Sequence, residues 1–189
     1  ASTELWCPYL VSYAGTVGGD LTLAERARLH HVLWTQLHLD HVAALPLMVD
    51  AIAARRSSPI QIHALPGTID ALKAHICNNT IWPDFSRIPT PAAPFVSFHP
   101  LAVGETLVLG GKEVEVLPAV HTVPAAGYAV SAGQGKGCWV FTGDTEQNTA
   151  LWARIPQLNC AKLRMQTACA NRERACATRR PARPPPPPP

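Results

Sequence analysis

The residues best suited to chemistry are His38, Asp40 and His41, which fall within four positions of the run from Val32 to Leu47. An apolar, β-favouring start (Val32, Leu33, Trp34) leads into them, and an apolar segment with helical spacing follows. Two imidazoles and a carboxylate this close, at a strand-to-helix junction, are a metal-ligand arrangement. The competing reading makes Asp40 a helix cap and leaves both histidines to local hydrogen bonds. Two later stretches bear on the choice. His121 stands in Val120-His121-Thr122, at the end of a predicted strand, and Asp144 stands where the apolar Val140-Phe141-Thr142 runs into Gly143. Taken alone, His121 reads as structural and Asp144 as a turn residue. Together, the three sets have the order and type of ligands for two divalent metals, with Asp144 suited to bridge them.

The elements that must hold these residues alternate. Pro8–Tyr13 reads as a short strand, and Gly15, Gly18 and Gly19 as a turn. Thr22 with Glu25 forms a capping-box pattern that opens a helix to about His30. His31–Thr35 is a strand, and Val42–Arg55 a helix that buries Leu45, Met48, Val49 and Ile52. Pro59–Ala64 is a strand and Pro66–Cys77 a helix. Residues 78–94, rich in proline, are expected to form a lid or a substrate-facing excursion. Strands follow at Phe95–His99 and Glu105–Leu109, then a Gly110-Gly111 hairpin turn and a returning strand, Lys112–Leu117. Tyr128–Ser131 and Cys138–Thr142 flank a turn at Gly133–Gly137. A helix at Thr149–Ile155 and a strand at Ala161–Gln166 close the order. The fold class is therefore mixed α/β in packed layers.

The chain has 189 residues, 47% of them hydrophobic and 15% charged, enough for one domain with a real core. The domain is expected over residues 1–175, and an Arg/Pro-rich disordered tail over 176–189. No apolar run is long enough to cross a membrane, and no signal peptide is visible. The six cysteines form no CxxC pair and read as free thiols of a reducing, cytoplasmic compartment. The net charge of +3 divides unevenly, −3 before Cys160 and +6 from Cys160 onward. The late arginines have no aromatic residues among them, so neither nucleic acid nor a membrane is an expected partner. No Gly-x-Ser-x-Gly setting supports a serine hydrolase, and Gly133-Gln134-Gly135-Lys136-Gly137 lacks the spacing of a phosphate-binding loop. Among the other histidines, His30 and His31 read as structural, His75 and His99 as surface, and His63 as a residue that could line a pocket.

The motifs in combination resemble the metallo-β-lactamase-fold hydrolases. Within them they resemble the class II 3′,5′-cyclic-nucleotide (cAMP) phosphodiesterases. The matching residues are Ala14-Gly15-Thr16 with Gly19-Asp20-Leu21, His38-Leu39-Asp40-His41-Val42, Val120-His121-Thr122-Val123-Pro124 with Gly127-Tyr128, Phe141-Thr142-Gly143-Asp144-Thr145, and Thr167-Ala168 with Asn171. The resemblance covers about Pro8 to Ala175. It implies a four-layer αββα sandwich with metals at one edge of two sheets. His38 and His121 would bind one metal, Asp40 and His41 the other, and Asp144 would bridge them, while Asp40 would also orient a nucleophilic hydroxide. The metal would be zinc, one or two ions, with manganese or iron(II) as alternatives. The substrate would be a cyclic nucleotide, and a homodimer is one option for assembly.

The chain also departs from that pattern. Gln36 stands where the family has its first His, and Tyr13 where it has an Asp; no His follows His121. Strands before Pro8 and a last αβ portion are expected to be missing, and residues 175–189 read as an out-of-frame ending. Three readings stay open: a cyclic-nucleotide phosphodiesterase, another hydrolase of the fold (thioester, lactone or RNA), and a non-catalytic remnant with impaired metal binding.

Overall fold

The computed structural model describes residues 9–11, 21–131, 138–158 and 162–167, the first and last of these as backbone only. Two sheets carry the fold. The first contains β1 (Tyr9–Val11), β2 (His31–Leu33), β3 (Ile60–Ala64) and β6 (Val96–Pro100), in that order and all parallel. The short strands β4 (Pro89–Thr90) and β5 (Ala93–Pro94) pair apart from it. The second sheet is ordered β11-β10-β9-β8-β7, from β7 (Thr106–Leu109), β8 (Lys112–Pro118), β9 (Ala126–Ser131), β10 (Cys138–Thr145) and β11 (Lys162–Thr167). The helices are α1 (Leu23–Ala27), α2 (Leu39–Val42), α3 (Ala44–Ile52), α4 (Pro66–His75) and α5 (Thr149–Arg154).

Alternation along the strands sorts the apolar residues into three cores, as the two-residue period of a strand requires. Val32, Trp34, Ile60, Ile62 and Ala64 face the helix side, with Leu45, Met48, Val49, Ile52 and Leu72. Leu33 points the other way and packs between the sheets with Val114, Val116, Tyr128 and Val130. Leu117, Ala129 and Val140 leave the far face of the second sheet to meet Leu151 of α5. Helix, sheet, sheet and helix are thus separated by three apolar layers, which is the αββα sandwich expected.

Several local expectations hold. Thr22 and Glu25 make both bonds of the capping box, and Gly110 and Gly111 turn the β7–β8 hairpin with positive φ. Others are corrected. The helix expected over Val42–Arg55 begins at Leu39, breaks at Ala43 and ends in a 3-10 turn at Ala53–Arg55. Pro46 explains the break, because it has no N–H for the Val42 carbonyl. The proline-rich segment is not a free lid. Phe85 is buried in the helix-side core, with Trp82 and Ile88 packed on it. The free-thiol reading holds at Cys77, whose burial pushes its thiol up to about 11. It fails at Cys138, which is disulfide-bonded, because spacing along a chain reveals only local cysteine pairs. The turn at 133–137 and the tail at 176–189 lie outside the described residues.

Candidate metal centre

The stretch that delivers the candidate ligands is clamped between both sheets. Trp34 donates its N–H to the His63 carbonyl of β3 (2.8 Å), and the Thr35 carbonyl accepts from the Ala126 N–H of β9 (2.8 Å). The buried Tyr128 hydroxyl donates to the Trp34 carbonyl. The chain then turns, and His38 becomes the N-cap of α2 without a side-chain capping bond. Asp40 therefore stands inside the first turn and is not the cap. Its side chain is 58% exposed, whereas His41 beside it is fully buried.

Asp144 comes from the far end of β10. Pairing with β11 shifts register between Phe141 and Asp144, and Gly143 takes φ of 63°. A Cβ on Gly143 would lie 2.7 Å from the Ala126 carbonyl oxygen, so glycine is required at this kink. The His121 loop is laced to the same strand end. Val120 donates to Thr145 Oγ1 (3.0 Å) and accepts from the Glu146 N–H (2.8 Å).

These elements bring two sets together. Asp40, His41 and Asp144 offer one ligand atom each within 4.8 Å of one another. His41 Nε2 is 3.6 Å from Asp40 Oδ2 and 3.3 Å from Asp144 Oδ2. Ligands about 2.0–2.2 Å from a tetrahedral zinc sit roughly 3.4 Å apart, so these spacings suit such an ion. Asp144 Oδ1 is buried with no hydrogen-bond partner among the described residues, a further mark of fit. In the second set, His38 Nδ1 lies 3.0 Å from His121 Nε2, with the rings edge-on. His121 Nδ1 is likewise buried and without a partner. All five sequence-predicted residues, His38, Asp40, His41, His121 and Asp144, therefore reach one edge of the sandwich.

Electrostatics join the sets. Burial alone would raise the Asp144 carboxyl, but its contact with His41, the charges of His41 and His121 and the Gln36 amide outweigh burial and hold it below the ordinary carboxylate value. His121 is shifted down, first by burial and then by neighbouring His38, with Asp144 pulling the other way. A carboxylate held below its ordinary value among imidazoles is a donor set suited to a cation.

Thr35 escaped sequence reasoning, and Gln36 was noted there only as a departure from the family's ligand. Thr35 Oγ1 lies 3.1 Å from His41 Nδ1 and fixes that ring. Gln36 is not merely a lost ligand, since its Nε2 lies 2.7 Å from His41 Nε2 and 2.8 Å from Asp144 Oδ2. The available signal was two polar residues continuing an apolar strand. His63, a candidate pocket residue, faces the space between the sheets. His31 Nδ1 lies 3.1 Å from His63 Nε2, and His99 stacks on His63 at 5.0 Å. His99 is thus half-buried and not at the surface, because its register partner across the parallel pair is His63.

Comparison with known proteins agrees with this architecture. A ribonuclease Z from Bradyrhizobium diazoefficiens is 33% identical over 95 residues, 50% of this chain and 29% of that protein. The 3′,5′-cyclic-nucleotide phosphodiesterase 1 of Saccharomyces cerevisiae is 28% identical over 125 residues, 60% of this chain and 33% of that one. The chain thus spans about a third of the length of the curated relatives it matches. The structure of unliganded yeast PDE1 superposes with a TM-score of 0.59 at 22% identity, covering 69% of this chain and 41% of that one. Human tRNase Z, short form, superposes with a TM-score of 0.58 at 17% identity, covering 89% and 71%. Residues 17–174 match the β-lactamase superfamily domain, and with the layered fold and the ligand edge already in place, the chain belongs to that superfamily.

Proposed function

We propose that this chain is a metal-dependent hydrolase that opens the phosphodiester of 3′,5′-cyclic nucleotides. The observation that carries the reading is Asp144, a buried carboxylate held ionised between the Asp40–His41 group and the His38–His121 pair. Divalent zinc, with manganese or iron(II) as alternatives, would be held by Asp40, His41 and Asp144, and a second ion by His38, His121 and Asp144. Such ions supply Lewis acidity toward phosphate oxygens and acidify water. Asp40, exposed at the open side, orients the attacking water and accepts its proton. Leu39 and Val120, exposed apolar neighbours of the ligands in the chain, offer contact to a base.

A second reading, cleavage of RNA, is favoured by the ribonuclease Z relative. The net charge of −3 before Cys160 argues for a small substrate over a polyanion. The test is to assay the zinc- or manganese-loaded chain against cyclic AMP, cyclic GMP, a precursor tRNA and a thioester. Turnover of a cyclic nucleotide above the others supports the first reading. No turnover of any cyclic nucleotide by a loaded sample removes it.

A further inference from the structure

We propose that Gln36 is a built-in competitor for the cation of the Asp40–His41–Asp144 group. Its amide nitrogen can only donate, and it lies 2.7 Å from His41 Nε2 and 2.8 Å from Asp144 Oδ2. The orientation is fixed by chemistry. Exchanging the amide oxygen and nitrogen would set a carbonyl oxygen 2.8 Å from a carboxylate that only accepts. His41 Nε2 must therefore accept, with its proton on Nδ1 facing Thr35 Oγ1 at 3.1 Å. This is the tautomer a metal ligand requires. Yet the two lone pairs that a cation would take, on His41 Nε2 and Asp144 Oδ2, are the ones the amide engages. Gln36 is fully buried, and its own Oε1 has no partner among the described residues. It is thus held by its two donor bonds, and a cation entering the group must displace it.

The sign of the effect separates competitor from ligand. Loss of a ligand weakens metal binding, whereas loss of a competitor strengthens it. The proposal rests on the metal reading of the site but not on any substrate. The experiment is titration of the chelator-stripped chain and its Gln36→Ala variant with Zn2+ alone, against a chromophoric chelator. A hydrogen bond to a charged group is worth about 1.5–3 kcal/mol, so the variant is expected to bind about 10-fold tighter. It should also melt at lower temperature in chelator. Unchanged or weaker binding overturns the proposal while leaving the metal reading intact, and binding by neither chain overturns both. The unsubstituted chain gives a second readout that does not depend on the variant folding. Its Gln36 side-chain amide protons should exchange slowly in chelator and quickly with Zn2+ bound; protection that persists after loading overturns the proposal.

Discussion

The two halves of the candidate metal centre are built differently. His41 and Asp144 are buried and supported by Thr35, Gln36, the clamped strand end and the glycine kink at Gly143. His38 and His121 are half-exposed and lean chiefly on each other, with Thr122 Oγ1 3.4 Å from His38 Nε2. The buried half is part of the fold's own hydrogen bonding. The exposed half hangs from a helix start and a loop. Order before binding therefore belongs to His41 and Asp144, which keep their places when a cation displaces the Gln36 amide, whereas the histidine pair should gain order on binding.

The first way to break this contrast is to delete one imidazole from each half. His41→Ala should cost about 1–3 kcal/mol of stability, because it removes a buried imidazole that meets Thr35 and Gln36. It should also lower zinc affinity of the buried group by more than about 100-fold, beyond what an outer-shell loss costs. His38→Ala should leave thermal melting nearly unchanged and remove only the second equivalent of metal. Equal destabilisation by the two variants in chelator would erase the distinction.

A smaller effect is expected at the clamp. Tyr128→Phe deletes the hydroxyl that ties β9 to the Trp34 carbonyl. It should cost about 1–2 kcal/mol and weaken the buried group by less than about 10-fold. Chemical denaturation and chelator competition check the two parts separately. No change in either would show that the clamp does not position the ligand stretch.

The last effect concerns the cluster of His31, His63 and His99. Burial first, and then the charges of His99 and His31, lower His63 from 6.5 to about 4. Between those values the unfolded chain binds a proton that the folded chain refuses. Stability is therefore full above pH 6.5 and falls as pH drops toward 4. The loss should be about 1–2 kcal/mol after allowance for solvent screening. His63→Gln should flatten most of this slope in urea melts run from pH 7 to 4.5; a slope equal to that of the parent chain contradicts the assignment.

Much of the fold was legible because strand alternation and glycine turns are local signals. Val32 and Trp34 facing away from Leu33, the capping box at Thr22 and the Gly110-Gly111 hairpin all follow from short-range pattern. The five candidate ligands were legible only as a combination, since His121 and Asp144 lie far from His38 in the chain and their meeting depends on sheet order. Much of what stayed hidden depends on sheet order and packing. The bond from Gln36 to Asp144 spans 108 residues, the stacking of His63 on His99 comes from parallel register, and the disulfide at Cys138 has no spacing signature. The early glycine-rich match around Gly15 and the late one around Asn171 lie outside the described residues.

The central claim is that Asp144 is the shared carboxylate of a metal centre, and metal analysis tests it most directly. The purified chain, reconstituted with zinc and freed of excess, should retain about one to two ions per chain, matching the one shared or two separate positions its ligands allow. Asp144→Ala, prepared identically and shown to be folded by its melting curve, should retain almost none. Retention of the same metal content by Asp144→Ala, or no zinc held by the parent chain, would contradict the account.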